Sequence, residues 1–142
     1  MQKKINNIGF TLVELVVVLI ITATLATLAL PLITFAIEKV RAKEGEQFLY
    51  TLLSAQKRYA IDNDNGDATP DYTIDIGALD VDFSRTPENF DDPTVSATSP
   101  LAQINRNDGS YTLFISDLGT ITCNCSGGSC ETCQKLGYAT EP

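Results

Sequence analysis

The chain contains no histidine and no tryptophan, and only one methionine in 142 residues. Without histidine it lacks the commonest general base and the commonest metal ligand, so the Ser/His/Asp and Cys/His catalytic arrangements are ruled out. Positive charge is also scarce: Lys+Arg is 10 against Asp+Glu 18, for a formal net charge of −8. A nucleic-acid binder needs a basic face to displace counterions from phosphates, so direct nucleic-acid binding is not expected. No Walker, dinucleotide-binding or nucleophile-elbow pattern is present, and the expectation is a protein that is not an enzyme and needs no cofactor.

The charge that is present is unevenly distributed. Residues 1–9 carry Lys3 and Lys4 and no acid, and from Leu15 to Ile37 there is no charged residue. Residues 38–58 hold Lys39, Arg41, Lys43, Lys57 and Arg58 against Glu38, Glu44 and Glu46. From Tyr59 onward, 14 acids face only Arg85, Arg106 and Lys135. The chain therefore reads as four parts: a basic leader (1–9), an apolar helix (10–37), an amphipathic helix (38–61) and a small acidic head (62–142).

Phe10–Ile37 is interrupted by a single carboxylate, Glu14. As a helix it is about 42 Å long, more than the roughly 30 Å hydrocarbon core of a bilayer. It is apolar on every face, as befits a helix surrounded by lipid or protein. Pro31 removes one backbone hydrogen bond, and a kink is expected there. A cleaved secretory signal has an apolar core of about 7–15 residues, too short to account for this stretch. An uncleaved single-pass anchor fits its length, and Lys39, Arg41 and Lys43 offset Lys3 and Lys4 in any orientation rule. A carboxylate inside a membrane helix costs about 2.5–3.5 kcal/mol on insertion scales, which marks Glu14 as a functional candidate.

The run Gly9-Phe10-Thr11-Leu12-Val13-Glu14, followed by Leu15-Val16-Val17-Val18-Leu19-Ile20-Ile21 and then Pro31, resembles the N-terminus of type IV pilins and type II secretion pseudopilins. The resemblance implies cleavage between Gly9 and Phe10 by a prepilin peptidase that also methylates the new amine of Phe10. It implies residence in the inner membrane, with the C-terminal head outside the cytoplasm, until assembly machinery extracts the subunit into a helical filament, a cell-surface pilus or a periplasmic pseudopilus. Glu14 and Pro31 are the implied assembly residues, with Glu14 pairing with the α-ammonium of a neighbouring subunit. In that bundle an unpaired buried carboxylate is costly, so the pairing would fix register. Family members commonly carry Gly midway along the apolar block, where this chain has Ala23; Ala favours the helix by roughly 1 kcal/mol and so opposes unwinding ahead of Pro31. Thr22, Thr24 and Thr27 are available to satisfy freed backbone groups.

In the amphipathic helix Val40, Phe48, Leu49, Leu52, Leu53 and Tyr59 are spaced to line one side, and Gly45 weakens the helix locally. The turn-forming run Asp62-Asn63-Asp64-Asn65-Gly66 ends it. This run fails as an EF-hand loop, because Gly66 falls fifth and Thr73 stands where the bidentate Glu belongs. Residues 70–100 read as a long irregular loop with a short element near Tyr72–Leu79. Leu101–Arg106, Asn107-Asp108-Gly109 and Ser110–Ile115 read as a hairpin, and Asp117-Leu118-Gly119 turns into Thr120–Cys123. The expected fold is α+β, a long N-terminal helix packed on a small antiparallel sheet, sharing one core.

Cys123, Cys125, Cys130 and Cys133 fall within eleven residues. A tetrathiolate zinc site commonly uses two C-x2-C knuckles, and only Cys130/Cys133 makes one, so two disulfides are favoured over metal. Of the three pairings, the one joining Cys123 to Cys125 closes a strained small ring. The favoured arrangement is Cys123–Cys133 enclosing Cys125–Cys130. A redox role for Cys130-Glu131-Thr132-Cys133 is disfavoured by the expected lack of a helix N-terminus and of basic neighbours. The alternative to a filament subunit is a membrane-anchored domain that binds metal or exchanges thiols through these cysteines.

Overall fold

The computed structural model describes residues 10–66, 69–82, 87–125 and 130–140. It is α+β, with helix α1 over Leu12–Asp62, a 3-10 turn over Ile76–Ala78, strands β1 (Thr94–Val95), β2 (Ala102–Asn105), β3 (Thr112–Ile115) and β4 (Ile121–Asn124), helix α2 (Glu131–Leu136) and strand β5 (Ala139–Thr140). The chain divides into two compact units, one through Glu38 and one from Lys39 onward.

In the first unit α1 begins where Thr11 caps it. The Thr11 N–H and hydroxyl donate to Glu14 Oε2 at 3.0 and 2.9 Å, and the Glu14 N–H donates back to Thr11 Oγ1 at 3.3 Å. This is a capping box, in which two side chains reciprocally satisfy N–H groups that the first turn leaves without partners. The helix continues through Pro31. Each threonine hydroxyl is spent on the helix itself: Thr22 donates to the Val18 and Leu19 carbonyls, Thr24 to Ile21, Thr27 to Thr24 and Thr34 to Pro31 at 3.0 Å. Hydroxyls bonded to their own helix need no partner from lipid.

In the second unit the remaining part of α1 buries Ala42, Gly45, Leu49, Leu52, Leu53, Ala55, Gln56 and Ala60, spaced to share one face. Val40, expected on that face, is 71% exposed. Its place is taken by Ala42 and Gly45, because the ring of Phe90 lies so close to the helix that only a residue without a Cβ fits. A Cβ on Gly45 would stand 2.7 Å from Phe90 Cζ.

The sheet order is β1-β2-β3-β4-β5. The first three pairings are antiparallel, with Ile104 opposite Leu113 and Leu113 opposite Cys123 on the core face. Inward Ala102, Ile104, Leu113 and Ile115 alternate with outward-facing residues, the period-two pattern of a half-buried strand. The fully antiparallel sheet expected from sequence is corrected at its end, since β5 pairs parallel to β4. A parallel neighbour needs a crossover, and α2 supplies it. Gly137, at φ 91°, caps α2 in the left-handed region, and its N–H reaches the Cys133 and Gln134 carbonyls so that the chain turns back into β5.

One core joins helix and sheet, drawing Leu49, Leu52 and Leu53 together with Leu101, Ile104, Tyr111, Leu113, Ile115, Cys123, Cys133 and Leu136. The loop after α1 is pinned by Gln56, whose buried side-chain amide donates to the Thr73 carbonyl at 2.7 Å and accepts from the Thr73 N–H at 3.0 Å. Tyr138 fastens the segment after α2 to α1: its hydroxyl donates to Glu46 Oε2 at 2.7 Å, and Lys43 Nζ donates to the same oxygen at 2.6 Å.

Candidate functional site

Two places carry chemistry, the start of α1 and the cysteine cluster. Gly9, the residue before the expected cut, lies outside the described residues. Phe10 is 82% exposed and immediately precedes the cap. Glu14 sits one turn in, its carboxylate held by Thr11. The Thr11-x-x-Glu14 spacing is a readable capping-box signal, but attention to the isolated charge hides it. Pro31 lies well inside α1.

Around these residues the first unit presents apolar surface almost without interruption. Leu12, Leu15, Val16, Leu19, Ile20, Leu25, Leu28, Leu32 and Ile33 are all exposed. Monomeric soluble proteins rarely leave so large an apolar surface uncovered. By length and composition this part of α1 is able to cross a membrane, and none of its most apolar window is buried within the chain.

The cysteine cluster lies at the far end of the sequence. Cys123, on β4, and Cys133, in α2, are fully buried in the core; Cys125 and Cys130 are half-buried. The structure joins Cys123 to Cys133 and Cys125 to Cys130, with Cα–Cα separations of 5.7 and 5.3 Å. The two bridges touch where Cys125 Sγ lies 3.0 Å from Cys133 Sγ. The expectation that Cys130-Glu131-Thr132-Cys133 lacks a helix start is corrected, because Cys130 is the residue immediately before α2. The helix is only six residues long, and its one basic residue, Lys135, is taken up by Glu131 at 2.7 Å. Lys135 holds the Glu131 carboxyl below its ordinary range.

Elsewhere in the second unit the shifted groups are explained by structural contacts. Burial pushes the Glu46 carboxyl up, but hydrogen bonds from Lys43 and Tyr138 outweigh it and hold the group below its usual value. Burial and the Glu46 carboxylate raise the Tyr138 phenol well above an ordinary tyrosine. The Arg58 guanidinium clasps both oxygens of Asp80, the closest pair at 2.7 Å, and lowers that carboxyl. Arg106, though buried, lies over the Phe90 ring with its charge 4.0 Å from Asp108. Each of these arrangements holds separate segments of the fold together.

Comparison with known proteins finds one family resemblance. Residues 5–30 match the family model described as the prokaryotic N-terminal methylation motif. Neither the curated proteins nor the solved structures contain a match to the chain. With Phe10, the Thr11–Glu14 box and the exposed apolar helix in place, the chain carries the prokaryotic N-terminal methylation motif, the signature of type IV pilins and pseudopilins.

Proposed function

We propose that the chain is a prepilin, cut between Gly9 and Phe10, methylated on the amine of Phe10, held in the inner membrane by the apolar part of α1, and then assembled into a type IV pilus filament. The observation that carries this is the coincidence of two independent features on the same residues. The methylation motif covers 5–30, and the helix built there leaves its apolar side chains exposed. Lipid covers that surface before assembly, and neighbouring helices cover it afterwards. Glu14 then passes from a cap satisfied within its own chain to a pair with the Phe10 ammonium of an adjacent subunit, which gives docking a register. Its partners on this reading are further pilins, the prepilin peptidase and the inner-membrane assembly machinery. A pseudopilin of a type II secretion system would use the same residues in the same roles, with the filament remaining in the periplasm.

The test is the intact mass of unreduced protein taken from native membranes or sheared filaments. A chain starting at methylated Phe10 and four hydrogens lighter than its reduced form agrees with processing and two disulfides. A chain that retains Met1–Gly9, with free thiols or bound zinc, overturns the reading and shifts the function to the cysteines.

A further inference from the structure

The cysteine cluster is built more tightly than two independent bridges require. The Sγ atoms of Cys123, Cys125 and Cys133 all lie within 4.8 Å of one another, and Cys130 is bonded to Cys125. Three sulfurs therefore share one space, and the fourth, that of Cys130, is bonded to one of them. A zinc ion bound by four thiolates has Zn–S distances of about 2.3 Å, which sets the sulfurs about 3.8 Å apart at the corners of a tetrahedron. The sulfurs of Cys123, Cys125 and Cys133, within 4.8 Å of one another, have room for that figure.

We propose that the same four cysteines, when reduced, form a closed tetrathiolate site for Zn2+, so that metal binding and disulfide formation are mutually exclusive states of one cluster. Cys130-x-x-Cys133 supplies a chelating knuckle from the start of α2, and Cys123-x-Cys125 supplies the other pair from the end of β4. Thiolates select a soft or borderline dication over Ca2+ or Mg2+, and four of them leave no open position for a substrate, so the site is structural. The full burial of Cys123 and Cys133 shields the inner half of the site, while half-buried Cys125 and Cys130 leave a route for the ion.

In forming the site, four thiols bind one Zn2+ and release four protons. Leaving it requires an oxidant. Two equivalents of a disulfide each take two electrons from the thiolates and two protons from solvent to become thiols, the four cysteine sulfurs close two bridges, and Zn2+ departs. The zinc state gives a chain that has not yet met an oxidant a way to hold residues 123–133 in their folded place, since binding to such sites is coupled to folding.

The experiment uses the full chain in detergent, reduced with a phosphine and freed of it under anaerobic conditions, then titrated with Co2+ followed by Zn2+. We expect one Co2+ per chain, with the absorption bands of tetrahedral cobalt and thiolate-to-cobalt charge transfer, bleached by one equivalent of Zn2+. The oxidised chain should show none of these bands. Replacing Cys125 or Cys130 by Ser should weaken cobalt binding by more than the roughly 10–100-fold that loss of an outer-shell partner causes. An octahedral cobalt spectrum, no binding by the reduced chain, or bands unchanged in Cys130→Ser would overturn the proposal. If reduction unfolds the head, cobalt must restore its near-ultraviolet circular dichroism, and failure to do so also overturns it. These readings are made on isolated protein and are independent of leader cleavage or filament formation.

Discussion

Substituting Gly45 by Ala tests whether the contact between Phe90 and α1 decides the fit of helix to sheet. In an exposed helix interior the change stabilises by roughly 0.5–1 kcal/mol, because Gly loses more backbone freedom on folding. Here the added methyl would meet Phe90 Cζ at 2.7 Å, Cε1 at 3.0 Å and Cε2 at 3.1 Å. The ring has little room to retreat, being buried, set edge-to-face on Tyr111 at 6.2 Å and covered by the Arg106 guanidinium at 5.9 Å. Forcing extra volume into a packed core costs about 1–3 kcal/mol. The overpacking term wins, and Gly45→Ala is expected to destabilise the second unit by about 1–2 kcal/mol. For a domain of this size that lowers Tm by roughly 4–8 °C per kcal/mol. The assay is thermal unfolding of the full chain in detergent, followed by near-ultraviolet circular dichroism, which reports the packed aromatics of the head. In a Phe90→Leu background, where the clashing ring atoms are gone, Gly45→Ala should become neutral or stabilising. If Gly45→Ala raises Tm in the unaltered protein, the close approach of ring and helix is not what selects glycine, and the argument fails.

Glu14→Ala is expected to leave the protein in the membrane at normal abundance while abolishing filaments, read by immunoblot of membrane and sheared fractions; normal filament yield would refute the assembly role. Gln56→Leu strands the buried Thr73 N–H and carbonyl, and should cost about 1–3 kcal/mol for each group left without a partner, measured by urea unfolding, whereas an unchanged midpoint would show that water replaces the amide. Glu46 has a folded pKa below its ordinary 4.5, so the stability it contributes is present above that value and is lost as pH falls through the lower folded one. Glu46→Gln should therefore flatten the acid limb of the stability curve below pH 4.5, and an unchanged limb would mean that other carboxylates carry it.

The features legible in the sequence are those written in short-range chemistry. Asn107-Asp108-Gly109 marks a turn because Gly109 adopts φ 71°, and the strands on either side follow from their alternation. The apolar run and the Gly-Phe-Thr-Leu-Val-Glu sequence need no tertiary information either. What escaped depends on distant partners. Strand β5 is two residues long, too short for any period, and exists because α2 and Gly137 deliver it to β4. Val40 reads as part of the inner face of α1 because it is apolar, yet the space beside that turn belongs to Phe90, some fifty residues further on, and is filled from Gly45. Gln56 reads as an exposed polar residue until Thr73 is seen against it. At the N-terminus the Thr11–Glu14 box is available in the spacing, whereas the contact between the two bridges is not, since it depends on where β4 and α2 meet.

Among the described residues the sheet is bordered on both sides by strands of two residues, β1 and β5. A border that short offers very few unpaired N–H and carbonyl groups to another chain, so it is a poor template for further pairing. Wherever many copies of this head are crowded side by side, they can press against one another without zipping into continuous ribbons. Contact between neighbours is then left to side chains.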